Sequence, residues 1–208
     1  ETFNTPFGVP YFEDFDTIAP GIIANPWPKG WSARNIPFQP RWESEDASGA
    51  NENSFATGPL FDHTQFGTAG GMYIYMETSG GPVGDSADFV SPPIFVDSSL
   101  QAVELSYWYF NHGVDIDEMM VIVDTNGVEN VIARFVGQQQ VNQADPWLES
   151  THFLTGYAGK SITIKFRGIN PNCCSGDIAI DDIRIDPVVQ LNAKVSEVVS
   201  PAGSLCPG

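Results

Sequence analysis

Carboxylates are the side chains in this sequence best suited to chemistry. The 208 residues include 26 Asp and Glu but only 9 Lys and Arg, which gives a formal net charge of -17. Such a field repels polyanions and anionic membrane surfaces, so we expect no nucleic-acid binding. No stretch approaches the ~20 apolar residues that a membrane span needs, so we expect no membrane insertion. The carboxylates either form a solvated surface that keeps the protein soluble or, in a few places, converge on hard cations that relieve their mutual repulsion.

The common sequence motifs of catalysis are missing. Only three histidines occur, His63, His112 and His152, and none belongs to a His-Glu-x-x-His zinc motif. There is no Gly-x-Ser-x-Gly nucleophile turn and no phosphate-binding glycine loop. Carboxylate pairs such as Glu77 and Glu104 arise in any acidic, β-rich chain and do not indicate a glycosidase. We therefore predict a protein that is not an enzyme.

Two tryptophans stand next to prolines in predicted loops, where an aromatic face can be exposed. Trp27 lies between Pro26 and Pro28, and Trp147 follows Pro146. Sugar rings stack on exposed aromatic faces. Both tryptophans are therefore candidates for a ligand-binding site, with burial in the protein as the alternative.

Short β-rich runs separated by Gly, Pro, Asn and Asp predict the elements that carry these residues. The side chains alternate along Val103–Phe110. One face carries Glu104, Ser106, Trp108 and Phe110, and the other carries Val103, Leu105, Tyr107 and Tyr109. The Asn-Gly pair 126–127 between two runs predicts a hairpin. Nine or ten such strands predict an all-β fold, a two-sheet antiparallel β-sandwich (jelly roll), with long ordered loops over residues 17–70. The clearest runs are 72–77, 88–90, 103–110, 119–124, 128–135, 147–154, 161–168 and 177–185.

The end of the chain differs from the rest. Pro187 follows the last predicted strand, so residues 1–187 are predicted as the sandwich and 188–208 as a linker and the start of a following β-domain. Other domains of the same parent chain are thus expected partners. Three cysteines are too few for a disulfide scaffold. Adjacent Cys173 and Cys174 either form a vicinal disulfide, stay free or only pack, and Cys206 lies in the tail.

Several blocks, in order and at sensible spacings, resemble the MAM domain (meprin/A5/receptor tyrosine phosphatase mu). They cover about residues 10–187. The family usually has a cysteine where Val103 stands, so its usual disulfides are missing here. This absence favours a bacterial branch, similar to the cleaved-adhesin jelly rolls that share the opening and closing motifs. The matching blocks are 12–15 (Phe-Glu-Asp-Phe), 30–31 (Gly-Trp), 58–64, 70–79, 105–109 and 176–183.

The resemblance implies a structural calcium ion, or sodium in its place, at one end of the sandwich. Its ligands would come from the first strand, the last strand and the first loop. Glu13 matches on the first strand, and Asp181 or Asp182 on the last. Asp181 is expected to share an inward face with Ile183 and Ile185, where a carboxylate without a cation would be costly. Further candidate ligands from the loops are Asn35, Asp46 and Asp62.

Asp62 has a second interpretation. Within Asp62-His63-Thr64 its carboxylate could cap the backbone amides of a turn instead of binding metal.

The family resemblance implies a secreted or cell-surface recognition module. Its partner would be an extracellular protein or a glycan, and a carbohydrate-binding module attached to a secreted enzyme or adhesin is the alternative function.

Overall fold

The strand-forming runs of the sequence become thirteen β-strands in the computed structural model. The structure describes residues 5–21, 27–33, 40–46, 57–68, 70–77, 84–170 and 175–188, and no helix occurs in these ranges. The strands are β1 (Phe7–Gly8), β2 (Tyr11–Glu13), β3 (Ser32–Ala33), β4 (Arg41–Asp46), β5 (Met72–Glu77), β6 (Ser86–Val90), β7 (Ile94–Phe95), β8 (Ala102–His112), β9 (Glu118–Thr125), β10 (Val128–Val136), β11 (Leu148–Thr155), β12 (Ser161–Ile169) and β13 (Asp177–Pro187).

The strands form two sheets. The first sheet has seven strands. β9 pairs with β10 on one side and β12 on the other, and the far side of β12 pairs with β6 and β7, which in turn pair with β3 and β1. The second sheet has six strands in the order β11-β8-β13-β5-β4, and β2 also pairs with β13. Every pairing is antiparallel except that of β1 with β7. The predicted all-β sandwich is confirmed.

The main hydrophobic core lies between the two sheets. Val103, Leu105, Tyr107 and Tyr109 of β8 all contribute to it, as the alternation in this strand predicts. The opposite face of β8 is not simply solvated. Phe110 belongs to a second hydrophobic cluster with Tyr73, Tyr75, Trp147 and Ala179, against which Trp108 packs. This second cluster covers the outer face of the second sheet, and the functional residues lie beside it.

The predicted hairpin at Asn126-Gly127 is present between β9 and β10. Both turn residues have positive φ, 55° for Asn126 and 83° for Gly127. Two-residue turns of this kind match the twist of the flanking strands, and Asn and Gly are the residues that tolerate them. The short-range sequence signal therefore determines the register of this hairpin.

The stretch predicted as loops, residues 17–70, contains two strands, β3 and the edge strand β4. β4 lies within residues 17–70 and pairs with β5 from Arg41 to Asp46. Its acidic composition hides an alternation in which Trp42 and Ser44 are buried. The indole of Trp42 donates to the Ala87 carbonyl at 3.0 Å, so the strand is fixed to both sheets.

Some predictions concern residues outside the described ranges. These include the state of Cys173, Cys174 and Cys206 and nearly all of the tail from residue 188 onward. Val188 is described, and its N–H donates to the Ala102 carbonyl at 3.2 Å just after β13 ends. Across the described ranges no helix is long and apolar enough to cross a membrane.

The hairpin turn gives a test of the fold. A Cβ at Gly127 would meet no atom within 4 Å, so Gly127→Ala adds only the strain of a left-handed backbone. We expect a loss of about 1 kcal/mol in the free energy of unfolding. Thermal denaturation should show a decrease of about 2–4 °C in Tm. Gly8→Ala is the control, since this glycine also has open space and no positive φ; equal effects of the two changes would contradict the turn assignment.

Candidate functional site

A β-bulge in β13 determines where its two adjacent aspartates point. Asp181 lies opposite Trp108 of β8, and the next register pair is Arg184 with Ser106. Two residues of β13 therefore lie opposite Tyr107 alone, and Asp182 adopts a φ of 47°. The extra residue places Asp181 on the outer face with Trp108. The expectation that Asp181 shares an inward face with Ile183 and Ile185 is wrong, because it assumed unbroken alternation.

Residues 57–68, here called the site loop, pack on the outer face of the second sheet. Hydrogen bonds from side chains attach the loop to that sheet and to the segment before β11. Thr57 Oγ1 donates to Asp177 Oδ2 at 2.6 Å, Tyr73 Oη donates to the Pro59 carbonyl at 3.1 Å, and Trp147 Nε1 donates to the Phe61 carbonyl at 2.9 Å. The loop thus covers the second hydrophobic cluster.

The centre of the site loop is bonded to the aspartates of the bulge. The His63 N–H donates to Asp181 Oδ2 at 3.2 Å, and Thr64 Oγ1 donates to Asp182 Oδ2 at 2.8 Å. His63 Nδ1 lies 2.5 Å from the same Asp182 oxygen. Burial opposes ionisation of Asp182, but the bonds from His63 and Thr64 outweigh it and hold its pKa below the usual value.

Asp62 brings a third carboxylate to the same place. It is 0% exposed, and its Oδ2 accepts the Gln65 N–H at 2.8 Å, as the turn-capping interpretation predicts. Its Oδ1 is buried and accepts no N–H or O–H from the described residues, yet its carboxyl group contacts that of Asp181. Two neighbouring buried carboxylates repel each other unless one of them is protonated or a cation lies between them. One of the pair therefore needs a proton or a cation.

The acidity of the pair follows from this geometry. Burial, and then the Asp62 carboxyl group, raise the pKa of Asp181 well above its usual value. Burial also raises the pKa of Asp62, partly offset by its bonds to Asp181 and Gln65. Gly71 leaves room for the Asp62 carboxyl group, because a Cβ at residue 71 would lie 2.3 Å from Asp62 Oδ2. The site holds negative charge at a cost that a bound cation would remove.

The donor atoms at this place suit a metal ion. One ligand atom each from His63, Asp181 and Asp182 lie within 4.8 Å of one another. Asp16 is close by, since its Oδ1 accepts the Met72 N–H at 2.8 Å and its Oδ2 accepts from Gln65 Nε2 at 3.3 Å. Neither His63 nor Asp16 was a predicted ligand. The tripeptide Asp62-His63-Thr64 was the signal that marked the first of them.

The other predicted ligands are placed elsewhere. Glu13 lies opposite Ile183, on the inner face of the second sheet, so the structure does not bring it together with Asp181. Asp46 ends β4, opposite Met72, and does not join the three donor groups within 4.8 Å. Asn35 lies outside the described residues. From the predicted set the structure therefore brings together Asp181 and Asp182, with Asp62 against Asp181 but outside the group of donor atoms within 4.8 Å.

The two candidate ligand-binding tryptophans are not exposed platforms. Trp147 is 4% exposed within the second cluster, although it also lines a small surface pocket with His63, Phe66, Trp108 and Pro146. Trp27 is half-buried and packs edge-on against Phe89, with 5.2 Å between ring centroids. Each ring was expected to be either exposed or buried; the structure buries Trp147 and half-buries Trp27. A role in ligand binding for Trp147 stays a prediction, limited to the part that lines the pocket.

The part of the sequence that forms this site matches a known protein family. The family described as MAM domain, meprin/A5/mu matches residues 28–189. The chain belongs to the MAM domain family. The match includes the site loop, the second cluster and both aspartates of the bulge, and it confirms the resemblance found in the sequence motifs.

Solved structures similar to this MAM domain share its jelly-roll fold at low sequence identity. The K1 cleaved adhesin domain of Lys-gingipain from Porphyromonas gingivalis has 16% identity and a TM-score of 0.53, covering 88% of this chain and 100% of that domain. The K2 cleaved adhesin domain of Lys-gingipain has 18% identity and a TM-score of 0.54, covering 86% and 99%. The predicted likeness to cleaved-adhesin jelly rolls is confirmed for the fold.

Substitution of the two bulge aspartates should have different effects without metal. The pKa of Asp181 is raised in the folded state, so the stability that it contributes is lost as the pH rises, and Asp181→Asn should lose less free energy of unfolding than the wild type between pH 5 and pH 8. Asp182→Asn removes a charge that His63 and Thr64 stabilise, so we expect a loss of about 1–2 kcal/mol at pH 7. Asparagine tolerates the left-handed backbone at this position. Urea denaturation in excess chelator at pH 5, 7 and 8 measures both, with exposed Asp186→Asn as the neutral control; a pH profile of Asp181→Asn parallel to that of the wild type, or no loss for Asp182→Asn, would contradict the proposed geometry.

Glu13 should make the stability of the MAM domain decrease with rising pH. Burial, only partly offset by the Phe15 N–H, raises the pKa of Glu13 to about 7. A raised pKa means that the folded state binds the proton more tightly than the unfolded state. The contribution of Glu13 to the free energy of unfolding is therefore fully present below about pH 4.5 and is lost as the pH rises through about 7. Relative to Glu13→Gln, we expect the wild type to lose about 1–2 kcal/mol between pH 5 and pH 8, after allowance for solvent screening.

Urea denaturation in metal-free buffer at pH 5, 6, 7 and 8 checks this expectation. The control is Glu104→Gln, which changes a half-buried glutamate on the outer face of the same sheet. Its pH profile should follow that of the wild type. Parallel profiles for the wild type and Glu13→Gln would show that Glu13 is ionised normally in the folded protein.

Proposed function

We propose that this MAM domain is a non-catalytic extracellular recognition module of a larger secreted or cell-surface protein, in which calcium fixes the site loop. The observation that carries the proposal is the meeting of the site loop with β13, where Asp181 and Asp182 have ligand atoms within 4.8 Å of one another and of His63, and buried Asp62 lies against Asp181. Loops at the edge of a rigid scaffold are where recognition residues concentrate. A cation here would hold such a loop in one conformation.

The residues present fit calcium. Calcium takes six to eight oxygen ligands, and charged carboxylates are its preferred side chains. The buried Asp62 Oδ1, which accepts no hydrogen bond from the described residues, is the atom most in need of a cation. Asp181 and Asp182 would hold the ion with Asp62, and Asp16 is close enough through Gln65 to contribute to the same charge cluster. Sodium would use the same oxygens with half the charge.

The surroundings of the histidines support a non-catalytic role. His63 has a carboxylate on Nδ1, but no hydroxyl or thiol in the described residues bonds its Nε2. His152 has hydroxyl neighbours but no carboxylate. Its Nε2 lies 2.9 Å from Ser150 Oγ and 3.1 Å from Tyr107 Oη, and no carboxylate of the described residues bonds its ring. Burial lowers the pKa of His152. Neither arrangement combines a nucleophile, a base and an orienting acid.

The partner class follows from charge and from the surface next to the loop. A net charge of -17 disfavours nucleic acid and other polyanions. An extracellular protein is the partner that the family membership supports. A carbohydrate-binding module is the second candidate, favoured by the open aromatic pocket beside His63.

Calcium should raise the melting temperature of metal-free protein. A ligand bound only by the folded state at ~100 times its Kd adds ~2.7 kcal/mol, which is several degrees for a domain of this size. Differential scanning fluorimetry during a calcium titration measures the shift, and excess chelator should reverse it. Asp181→Asn should abolish most of the response, whereas exposed Asp186→Asn should keep it. A melting curve unchanged by calcium, after metal analysis confirms removal, would refute the structural calcium site.

A further inference from the structure

The outer face of the second sheet carries a small open pocket next to the carboxylate cluster. His63 and Phe66 of the site loop form one side of it, and Trp108, Pro146 and Trp147 form the rest. The cavity measures about 170 Å³, which is small for a drug-sized ligand and suits a single ring or side chain. Phe66 is 49% exposed, so an aromatic face is accessible at the rim.

The walls of the pocket are held in place before any ligand binds. The His63 ring stacks on Trp108, with 3.8 Å between centroids and 17° between planes. Trp147 is fixed by its bond to the Phe61 carbonyl and by an edge contact with Tyr73 at 5.6 Å. Phe66 packs edge-on against Phe61 at 5.4 Å. Such preorganisation reduces the entropy cost of binding.

The pocket combines these aromatic rings with unused polar groups. Asp182 engages His63 Nδ1, which leaves Nε2 without a hydrogen-bond partner in the described part of the chain. The indole N–H of Trp108 likewise has no partner among the described residues. Glu149 lies directly opposite Trp108 on β11 and is exposed. The pocket therefore offers a ring nitrogen and an indole N–H around an apolar floor, and the exposed Glu149 carboxylate lies on the neighbouring strand beside its Trp108 wall.

We propose that this pocket binds one pyranose ring of a neutral glycan. The C–H face of a sugar stacks on aromatic rings, and its hydroxyl groups both donate and accept hydrogen bonds, so they can satisfy the Trp108 N–H and the Glu149 carboxylate together. A Lys or Arg side chain only donates and leaves the indole N–H without an acceptor. An apolar side chain would bury these polar groups unpaired, at a cost.

The charge of the chain limits the glycan to neutral types. With a net charge of -17, sulfated and uronic acid polymers are repelled. The assignment rests on the proposed recognition function and specifies its ligand class. It also connects the two sites, because His63 contacts Asp182 with one ring nitrogen and belongs to the pocket wall.

Affinity electrophoresis in gels containing mannan, galactan, xylan or β-glucan tests the pocket in calcium-containing buffer. We expect at least one of these neutral polysaccharides to retard the protein. Phe66→Ala should weaken that binding at least tenfold, and Glu149→Gln should weaken it severalfold. Phe153→Ala is the matched control, because Phe153 is 67% exposed on β11 but pairs with Glu104, well away from the pocket; its binding should equal that of the wild type.

Three outcomes would overturn the assignment. They are retardation by none of the four polysaccharides, equal binding by Phe66→Ala and the wild type, and binding only to heparin or polylysine gels. Melting curves of the same samples with and without calcium separate this failure from that of the proposed function. A calcium response without retardation removes the glycan pocket and keeps the calcium-fixed loop, whereas retardation without a calcium response removes the calcium site and keeps the pocket.

Discussion

The outer face of the second sheet depends on how buried carboxylates are kept together. Asp62 and Asp181 meet away from water, and Asp182 joins them from the next position in the chain. Burying one uncompensated charge is costly, and burying several in one place costs more because they also repel each other. The structure meets part of this cost with N–H and hydroxyl donors from residues 63–65. The remainder explains why the site favours a proton or a cation.

The two faces of the second sheet pack against different parts of the protein. The inner face packs against the first sheet with regular alternation and supplies most of the buried apolar surface. The outer face carries a cluster of aromatic residues, and the site loop bonds to two of them, Tyr73 and Trp147. Because the loop is fixed both by the aromatic cluster and by the carboxylates, the position of His63 depends on both. A rigid sandwich thereby positions a recognition surface that has little regular structure of its own.

Local sequence signals predicted most of the sandwich. The alternation in β8 and the Asn-Gly hairpin needed only neighbouring residues to be interpreted correctly, and both are confirmed. β4 was missed because Glu43, Glu45 and Asp46 dilute the alternation that buries Trp42. The inward direction predicted for Asp181 failed because a bulge depends on the partner strand, which a single strand does not specify. The burial of Trp147 likewise depends on a loop that precedes it by some eighty residues.

The bulge has a consequence for how such a site could arise. Ile180 and Ile183 both face the core, and only Asp182 is extra between the outward Asp181 and Ile183. A strand without residue 182 would keep the same side chains on the same faces, with an unbroken ladder to β8. Insertion of a single codon into the gene of an ordinary sandwich would therefore be sufficient to add a second acidic group and turn the backbone toward the loop. Charged anchors of this kind can be gained or lost in evolution without repacking the protein interior.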